Sequence, residues 1–225
     1  MAVAVTRGVD RLSERLLPAR PGSRPRHATE LLGEIERAVG DAGGWDRIDL
    51  LAVGVGPGSF TGLRIGIATA RALAQGLAMP VAGVPSLDAL ARGIAQRPAA
   101  RDRPRLAVID ARRSEVFAAL HGPAGEREWG PLVAAPAELA DRVASLPVAP
   151  LAAGDGAVRF RRDLEGAGAE VPADEDVGHR LSARQVCLLA EDLAPSAPHE
   201  IKPIYLRPPD AQIWRQRVRG QRHGR

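Results

Sequence analysis

The apolar run LLAVGVG at 50–56 passes without a linker into PGSFTG and then into the helical segment LRIGIATARALAQGLAM. An apolar strand without polar alternation reads as one covered on both faces, the mark of a strand between two helical layers. A strand feeding a helix through glycines therefore places the chain in the α/β class. The surrounding pattern agrees. From His27 the apolar positions Leu31, Leu32, Ile35, Ala38 and Val39 recur at helical spacing up to Gly40, and Gly43 and Gly44 follow. Strand VAGV at 81–84 precedes SLDALARGIAQ, a helix with Ser86 placed to cap it. At the start, AVAVTRG alternates like a short strand, and RLSERLLPARPGSRP reads as a strand or turn and then a loop.

After the Pro- and Arg-rich stretch RPAARDRPR at 97–105 a second set begins: RLAVID, the turn ARRSE and the returning strand VFAALHG, together a β-hairpin. A helix at PAELADRVASL, a strand at VAPLAAGDG, a helix at LSARQVCLLAEDL and the closing piece IKPIYLRPPD complete it. The division is an N-terminal half at 1–100, a C-terminal half at 101–210 and a basic tail at 211–225. The second half opens with strand, turn and strand, whereas the first opens with the lone strand AVAVTRG. If the halves are structural repeats, the first lacks its leading strand. Either the polypeptide begins upstream of Met1, or its sheet has an open slot where a central strand belongs.

With 45% apolar and 26% charged residues among 225, the composition is globular, and no apolar run approaches the roughly 20 residues of a membrane span. The N-terminus has no secretory pattern, so a cytoplasmic protein is expected. A single cysteine, Cys187, excludes an internal disulfide framework and reads as a buried helical thiol. Histidines 27, 121, 179, 199 and 223 form no H-x-x-x-H pair, which disfavours a self-contained metal hydrolase. The net charge of +4 is concentrated at the end, where residues 207–225 carry six arginines against one acid. Such a tail suits phosphate contacts with RNA, or is simply a solvated terminus.

The richest segment is GVGPGSFTGLRIG, Gly54 to Gly66. Gly56, Gly58 and Gly62 around Pro57, Ser59 and Thr61 allow close backbone approach, and amides at the following helix start can meet an anion. Three familiar chemistries fail on spacing. Leu63 and Arg64 follow Gly62 where a P-loop needs Lys and Ser or Thr. Pro57 and Thr61 stand where a nucleophile elbow around Ser59 needs glycines. Thr61 also stands where a dinucleotide fingerprint needs its third glycine. Downstream, Ala68, Ala72 and Gly76, with the Gly66/Ala70 pair, make small-residue edges at helical spacing that suit either a close helix partner or the helix's own sheet.

GPGSFTGLRIG followed by ATARALA and PVAGVPSLDALA resembles the bacterial TsaB family, older name YeaZ. RHATELLGEI, VIDARRSEVFAAL, LAAGDGA and IKPIYLRPPD continue the likeness in order over residues 2 to 210. The resemblance implies two tandem ribonuclease H-like halves, as in actin, Hsp70 and sugar kinases, with the first half lacking its leading strand. It implies a non-catalytic scaffold and activator that heterodimerises with a TsaD-like catalytic subunit, assisted by a TsaE-like ATPase. That complex adds threonylcarbamoyl to the adenosine beside the anticodon of tRNA, which the chain would meet only through the complex. No cofactor of its own is implied, with ATP or ADP at the shared interface. The alternative is an independent glycoprotease-like peptidase or ATPase using the cleft of the same fold.

The residues assigned to the partner interface or nucleotide neighbourhood are Gly56, Gly58, Ser59, Thr61, Gly62, Arg64, Ala68, Arg71, Ala72 and His27. His27 matches in place a helix on which TsaD-like relatives carry metal-binding histidines, but one imidazole is not a metal site, and it reads as a helix cap or packing residue. Asp110, at the hairpin turn, and Asp155, in a Gly-Asp-Gly turn, read as turn carboxylates beside the phosphate-contacting role a related kinase would give Asp110. Self-association through the 62–78 helix would compete with heterodimer docking.

Overall fold

A computed structural model of the chain describes residues 2–16 and 27–207. It opens with an antiparallel hairpin of β1 (Ala2–Arg7) and β2 (Asp10–Leu16). Helix α1 (His27–Asp41) leads to β3 (Leu51–Gly56), α2 (Phe60–Gly76) and β4 (Val81–Pro85), and β3 and β4 pair in parallel. Helix α3 (Ser86–Ile94) then leads to a meander of β5 (Arg105–Arg112), β6 (Glu115–His121) and β7 (Arg127–Ala134). After α4 (Pro136–Ala144) comes β8 (Leu151–Ala153), which joins β5 in parallel and gives a four-stranded sheet in the order β7-β6-β5-β8. Short helices α5 (Asp155–Arg159) and α6 (Arg161–Gly166) and the helix α7 (Ala183–Ala190) complete the regular structure.

The alternation of β5 explains how this sheet is covered. Leu106 and Val108 face one side, into a core with Val116, Ala118 and Leu120 of β6, Leu139 and Val143 of α4 and Leu164 of α6. Ala107 and Ala111 face the other side, packed against Leu87, Leu90, Ala91 and Ile94 of α3. A helix that precedes residue 100 thus covers the sheet that follows it. The exchange is mutual, because α7 returns to β3 and β4, where Val186 and Ala190 pack with Ala82, Val84 and Ala89. On the opposite face of β3 and β4, Ile67 and Ala74 of α2 meet Val55, Val81 and Ile201.

Several expectations are corrected. Ser86 does not cap α3: Pro85 holds the N-cap position without a side-chain bond, and Ser86 is buried as the first helical residue. The segment REWGPLVA, unassigned from sequence, is the full strand β7, and the strand at VAPLAAGDG shrinks to the three residues of β8. Strand β3 is covered less than its composition demands, since Leu51, Ala52, Val53 and Gly54 stay partly exposed. IKPIYLRPPD, expected as the closing ordered piece, is described over 201–207 without helix or strand, and its last three residues lie outside the described ones, as does the arginine-rich tail at 211–225, for which RNA contact and a plain solvated terminus were the two readings. Among the described residues no helix is long and apolar enough to cross a membrane.

A polar lock joins α3 to the four-stranded sheet. Asp88 accepts from His121 Nε2 at 3.0 Å, and both its oxygens accept from Arg127. Burial opposes ionisation of this carboxyl, yet the bonds from His121 and Arg127 hold it below the usual carboxylate value of 3.8. The lock therefore contributes above that value and is lost as pH falls through the lower folded value. Asp88→Asn should lower the urea unfolding free energy by about 1–3 kcal/mol at pH 7 and remove this acid-side loss of stability.

Cys187 on α7 points at β1 and donates its thiol to the Ala4 carbonyl at 3.6 Å. Burial pushes the thiol from 9.0 up to about 11. A raised thiol value stabilises the fold fully below 9.0, and the contribution disappears as pH climbs toward about 11. Disulfide-exchange reagents at pH 8 should label the native thiol at least about tenfold more slowly than the urea-unfolded one, and Cys187→Ser should flatten the alkaline limb of stability.

Candidate docking surface

The glycine-rich junction is built by the local backbone. Gly56 has φ of +105° and is buried, and a Cβ there would stand 2.9 Å from the Ile204 carbonyl oxygen and 3.0 Å from Leu63 Cδ1. Only glycine satisfies both the left-handed backbone and this close approach. Ser59 takes the N-cap of α2, its hydroxyl accepting from the Gly62 amide at 3.4 Å, while the Leu63 amide bonds the Ser59 carbonyl. Two of the amides read as anion donors are thus engaged within the helix start itself.

The segment 201–207 runs across this junction as a strap. Ile201 and Ile204 pack into the α2 core, and the Ile204 amide donates to the Val55 carbonyl at 2.7 Å. Tyr205 then stacks beside Phe60, with ring centroids 5.2 Å apart. Arg64 contacts both, its guanidinium 4.0 Å from the Phe60 ring centre and its Nε donating to the Tyr205 hydroxyl at 3.2 Å. Beyond Tyr205, Arg207 reaches Glu115 and donates to the Ala111 carbonyl at 3.1 Å.

The outer face of α2 is consequently an ordered surface. Ser59, Thr61, Arg64, Ala68, Arg71 and Ala72 are exposed, and Gly58 and Gly62 are partly so. Ala68, Ala72 and Gly76 form an exposed row at four-residue spacing, bordered by a shallow hollow of about 300 Å³ between Arg64, Arg71, Pro203 and Tyr205. The Gly66/Ala70 pair belongs elsewhere: Gly66 lies against Val53, and Ala70 packs in the core under α2, so these small residues fit the helix to its own strand. Helix α1 lies beside α2. His27 opens α1, but its side chain lies outside the described residues.

Phe60 and Tyr205, the two aromatic groups that fix Arg64, were not among the expected site residues. Their signal was rarity: the chain has three phenylalanines and one tyrosine, and both residues remain more than a third exposed, at 37% and 40%.

The carboxylates singled out from sequence have structural duties. Asp110 accepts from the Arg112 amide at 2.8 Å and from Arg159 Nη1 at 2.8 and 3.0 Å, and Asp155 accepts the Asp110 amide at 2.9 Å. His179 is buried, with the Gly154 amide donating to its Nδ1 at 3.2 Å and its Nε2 3.1 Å from the Pro172 and Ala173 carbonyls. Among the described residues no three His, Cys, Asp or Glu side chains are grouped to hold a metal ion.

Comparison with known proteins gives a consistent result. The family TsaD, tRNA N6-adenosine threonylcarbamoyltransferase, matches residues 22–204. The tRNA threonylcarbamoyladenosine biosynthesis protein TsaB of Haemophilus influenzae is 38% identical over 92 residues, covering 40% of this chain and 38% of that protein. The Escherichia coli protein of the same name is 49% identical over 70 residues, 31% of this chain and 29% of its own length. The chain spans half or less of the length of the curated relatives it matches. YeaZ from Pseudomonas aeruginosa superposes with a TM-score of 0.71 at 26% identity, over 91% of this chain and 93% of that one. The architecture is accordingly two tandem ribonuclease H-like halves, and among the described residues no strand joins β1 to β3 in the first.

Adding a methyl group at the junction tests its construction. Gly56→Ala should cost about 2 kcal/mol or more, from backbone strain and displacement of Ile204, and should speed proteolytic cleavage within 201–207.

Proposed function

From the premise that the chain belongs to the TsaB (YeaZ) family within the TsaD group, we propose that it is a non-catalytic scaffold and activator in tRNA threonylcarbamoyladenosine synthesis. It docks on a TsaD-like catalytic subunit through α1 and the outer face of α2. A TsaE-like ATPase assists, ATP or ADP sits at the shared interface and not in a site of this chain alone, and tRNA is met through the complex.

The observation that carries this reading is the exposed row Ala68, Ala72 and Gly76 on a helix braced by Arg64, Phe60 and Tyr205. Small side chains let a partner helix approach closely, so packing extends along the whole contact. A rigid surface also loses little entropy on binding. Docking activates the partner if the surface fits its competent conformation better than its resting one, which shifts the population by that difference in affinity. The engagement of Ser59, Asp110 and Asp155 in capping and turn bonds supports a surface role over a peptidase centre in this chain.

Because Ala72 is exposed, its replacement separates docking from folding. Ala72→Glu should weaken binding to the TsaD-like subunit by at least about tenfold, since it buries an unpaired charge, while leaving the Tm of the isolated chain unchanged. Titration calorimetry with the purified subunit measures this, and tRNA modification in cells carrying the variant should fall in step. Undiminished binding, or tight ATP binding with turnover by the isolated chain, would overturn the assignment.

A further inference from the structure

The outer face of α2 carries charge that no carboxylate among the described residues neutralises. Arg64 and Arg71 are the charged residues of Phe60–Gly76, which holds no acid. Both are exposed, yet neither forms an ion pair: Arg64 donates its Nε to the Tyr205 hydroxyl, and Arg71 makes no hydrogen bond. Elsewhere the chain matches its arginines to acids, Arg127 to Asp88, Arg159 to Asp110, Arg161 to Asp174 and Arg207 to Glu115. Of the acids on neighbouring α1, Glu34 and Asp41 pair with Arg15 of β2, and none pairs with Arg64 or Arg71. Lys202, exposed on the strap, likewise has no carboxylate partner.

Position gives these cations a common aim. Seven residues make close to two helical turns, so Arg64 and Arg71 stand on one side of α2, about 10.5 Å apart along its axis. Both line the hollow of about 300 Å³ that Pro203 and Tyr205 close on the far side, while Ala68 connects it to the row of small residues. Two occupants of opposite charge suit such a surface, an RNA backbone and an acidic protein face. Nucleic acid gains its grip here only if bases can stack on free aromatic rings. Phe60 is already covered by the Arg64 guanidinium, and Tyr205 is tilted against Phe60. The small-residue row, by contrast, serves a helix that approaches closely.

We propose that the surface seated on α2 is an acidic helix of the TsaD-like subunit, with two carboxylates about two turns apart, one meeting Arg71 in the hollow and the other Arg64. This rests on the docking assigned above and names its chemistry. A neutral helix on this face would strip water from two unpaired cations, a cost that carboxylates in the same place offset. Each guanidinium offers a carboxylate two parallel N–H bonds. Arg64 is held ready for this by Phe60 and Tyr205, so little freedom is lost on binding. Neutral or basic helices of the same shape are rejected by the same two charges.

Titration calorimetry against the purified TsaD-like subunit tests the charge. The Kd of the unaltered pair should rise at least about tenfold between about 50 and about 500 mM salt. Arg71→Gln should weaken binding at low salt at least about tenfold and reduce that salt dependence, and Arg71→Glu at least about 100-fold. Neither should move the Tm of the isolated chain, because Arg71 makes no bond in it. Arg71→Lys places an amine at the hollow, and a carbodiimide should then link it to an Asp or Glu of the subunit, identified by peptide mass. Ala72→Glu separates this inference from the docking reading. If Ala72→Glu disrupts the complex while Arg71→Gln and Arg71→Glu bind undiminished, docking stands and the acidic complement is overturned. A loss in the Arg71 variants confined to tRNA binding by the isolated chain overturns it too. If Ala72→Glu binds as well as the unaltered chain, both readings fall.

Discussion

A strand at the centre of a sheet has two edges and two faces to satisfy, and β5 meets all four demands. Its edges are taken by β6 and β8, one face by α4, α5 and α6, and the other by α3. The last of these shapes the whole molecule. The second half supplies helices for one face only, so α3 has to come from the first half, and α7 returns to cover β3 and β4. Each half completes the other's core. The Asp88 bonds to His121 and Arg127 fix the register of that exchange, placing a half-buried polar anchor where apolar packing alone would allow sliding. Close approach tightens it further: Gly154, at φ of +123°, brings the β8–α5 turn against Val108, where a side chain would fall on the Val108 carbonyl.

The same four demands explain the texture of the first half. Strand β3 has β4 on one edge and helices on both faces, but among the described residues no strand pairs with its other edge, and its first four residues remain half-buried despite an apolar sequence. Strand β1 is half-buried from Ala2 to Thr6 for the same reason. Composition records the environment a segment suits, while exposure records its neighbours, and here the two disagree along both β1 and β3. Cys187, set between α7 and β1, is buried enough to disfavour its thiolate.

What could be read from the sequence follows from how local each signal is. Helix α1 and the β3–α2–β4 unit carry unbroken periodicity or unbroken apolar runs and are legible to within about three residues, α2 starting three residues before the segment its periodicity marks. The hairpin of β5 and β6 was legible because two apolar runs flank a short polar turn, although Arg112, Arg113 and Ser114 all take positive φ there without glycine. Strand β7 was not legible: EREWGPLVA mixes charge, Gly and Pro, and becomes a strand through pairing with β6 at the sheet edge. Ser86 looked like a cap because serine precedes a helical pattern, yet the helix begins one residue earlier and buries it. At the candidate surface, Arg64, Ala68, Arg71 and Ala72 follow from helical spacing. The Gly66/Ala70 edge was ambiguous, since small residues suit a foreign helix and a native strand equally. Tyr205 could not be joined to Arg64, because 141 positions separate them and only the tertiary fold brings them together.

That long-range contact gives the α2 surface its dependence on the rest of the molecule. The strap 201–207 bonds Val55 in β3, braces Arg64 on α2 through Tyr205, and ends with Arg207 on Glu115 and the Ala111 carbonyl at the β5–β6 turn. Three points on two halves are thus tied by seven residues. A partner that grips the outer face of α2 also meets the strap, and through it a turn of the second sheet. Displacing that turn costs the Arg207 bonds, and displacing the strap frees Arg64 to rotate away from Phe60. The orientation of the exposed arginine is therefore set jointly by both halves, which a peptide copy of α2 alone could not reproduce.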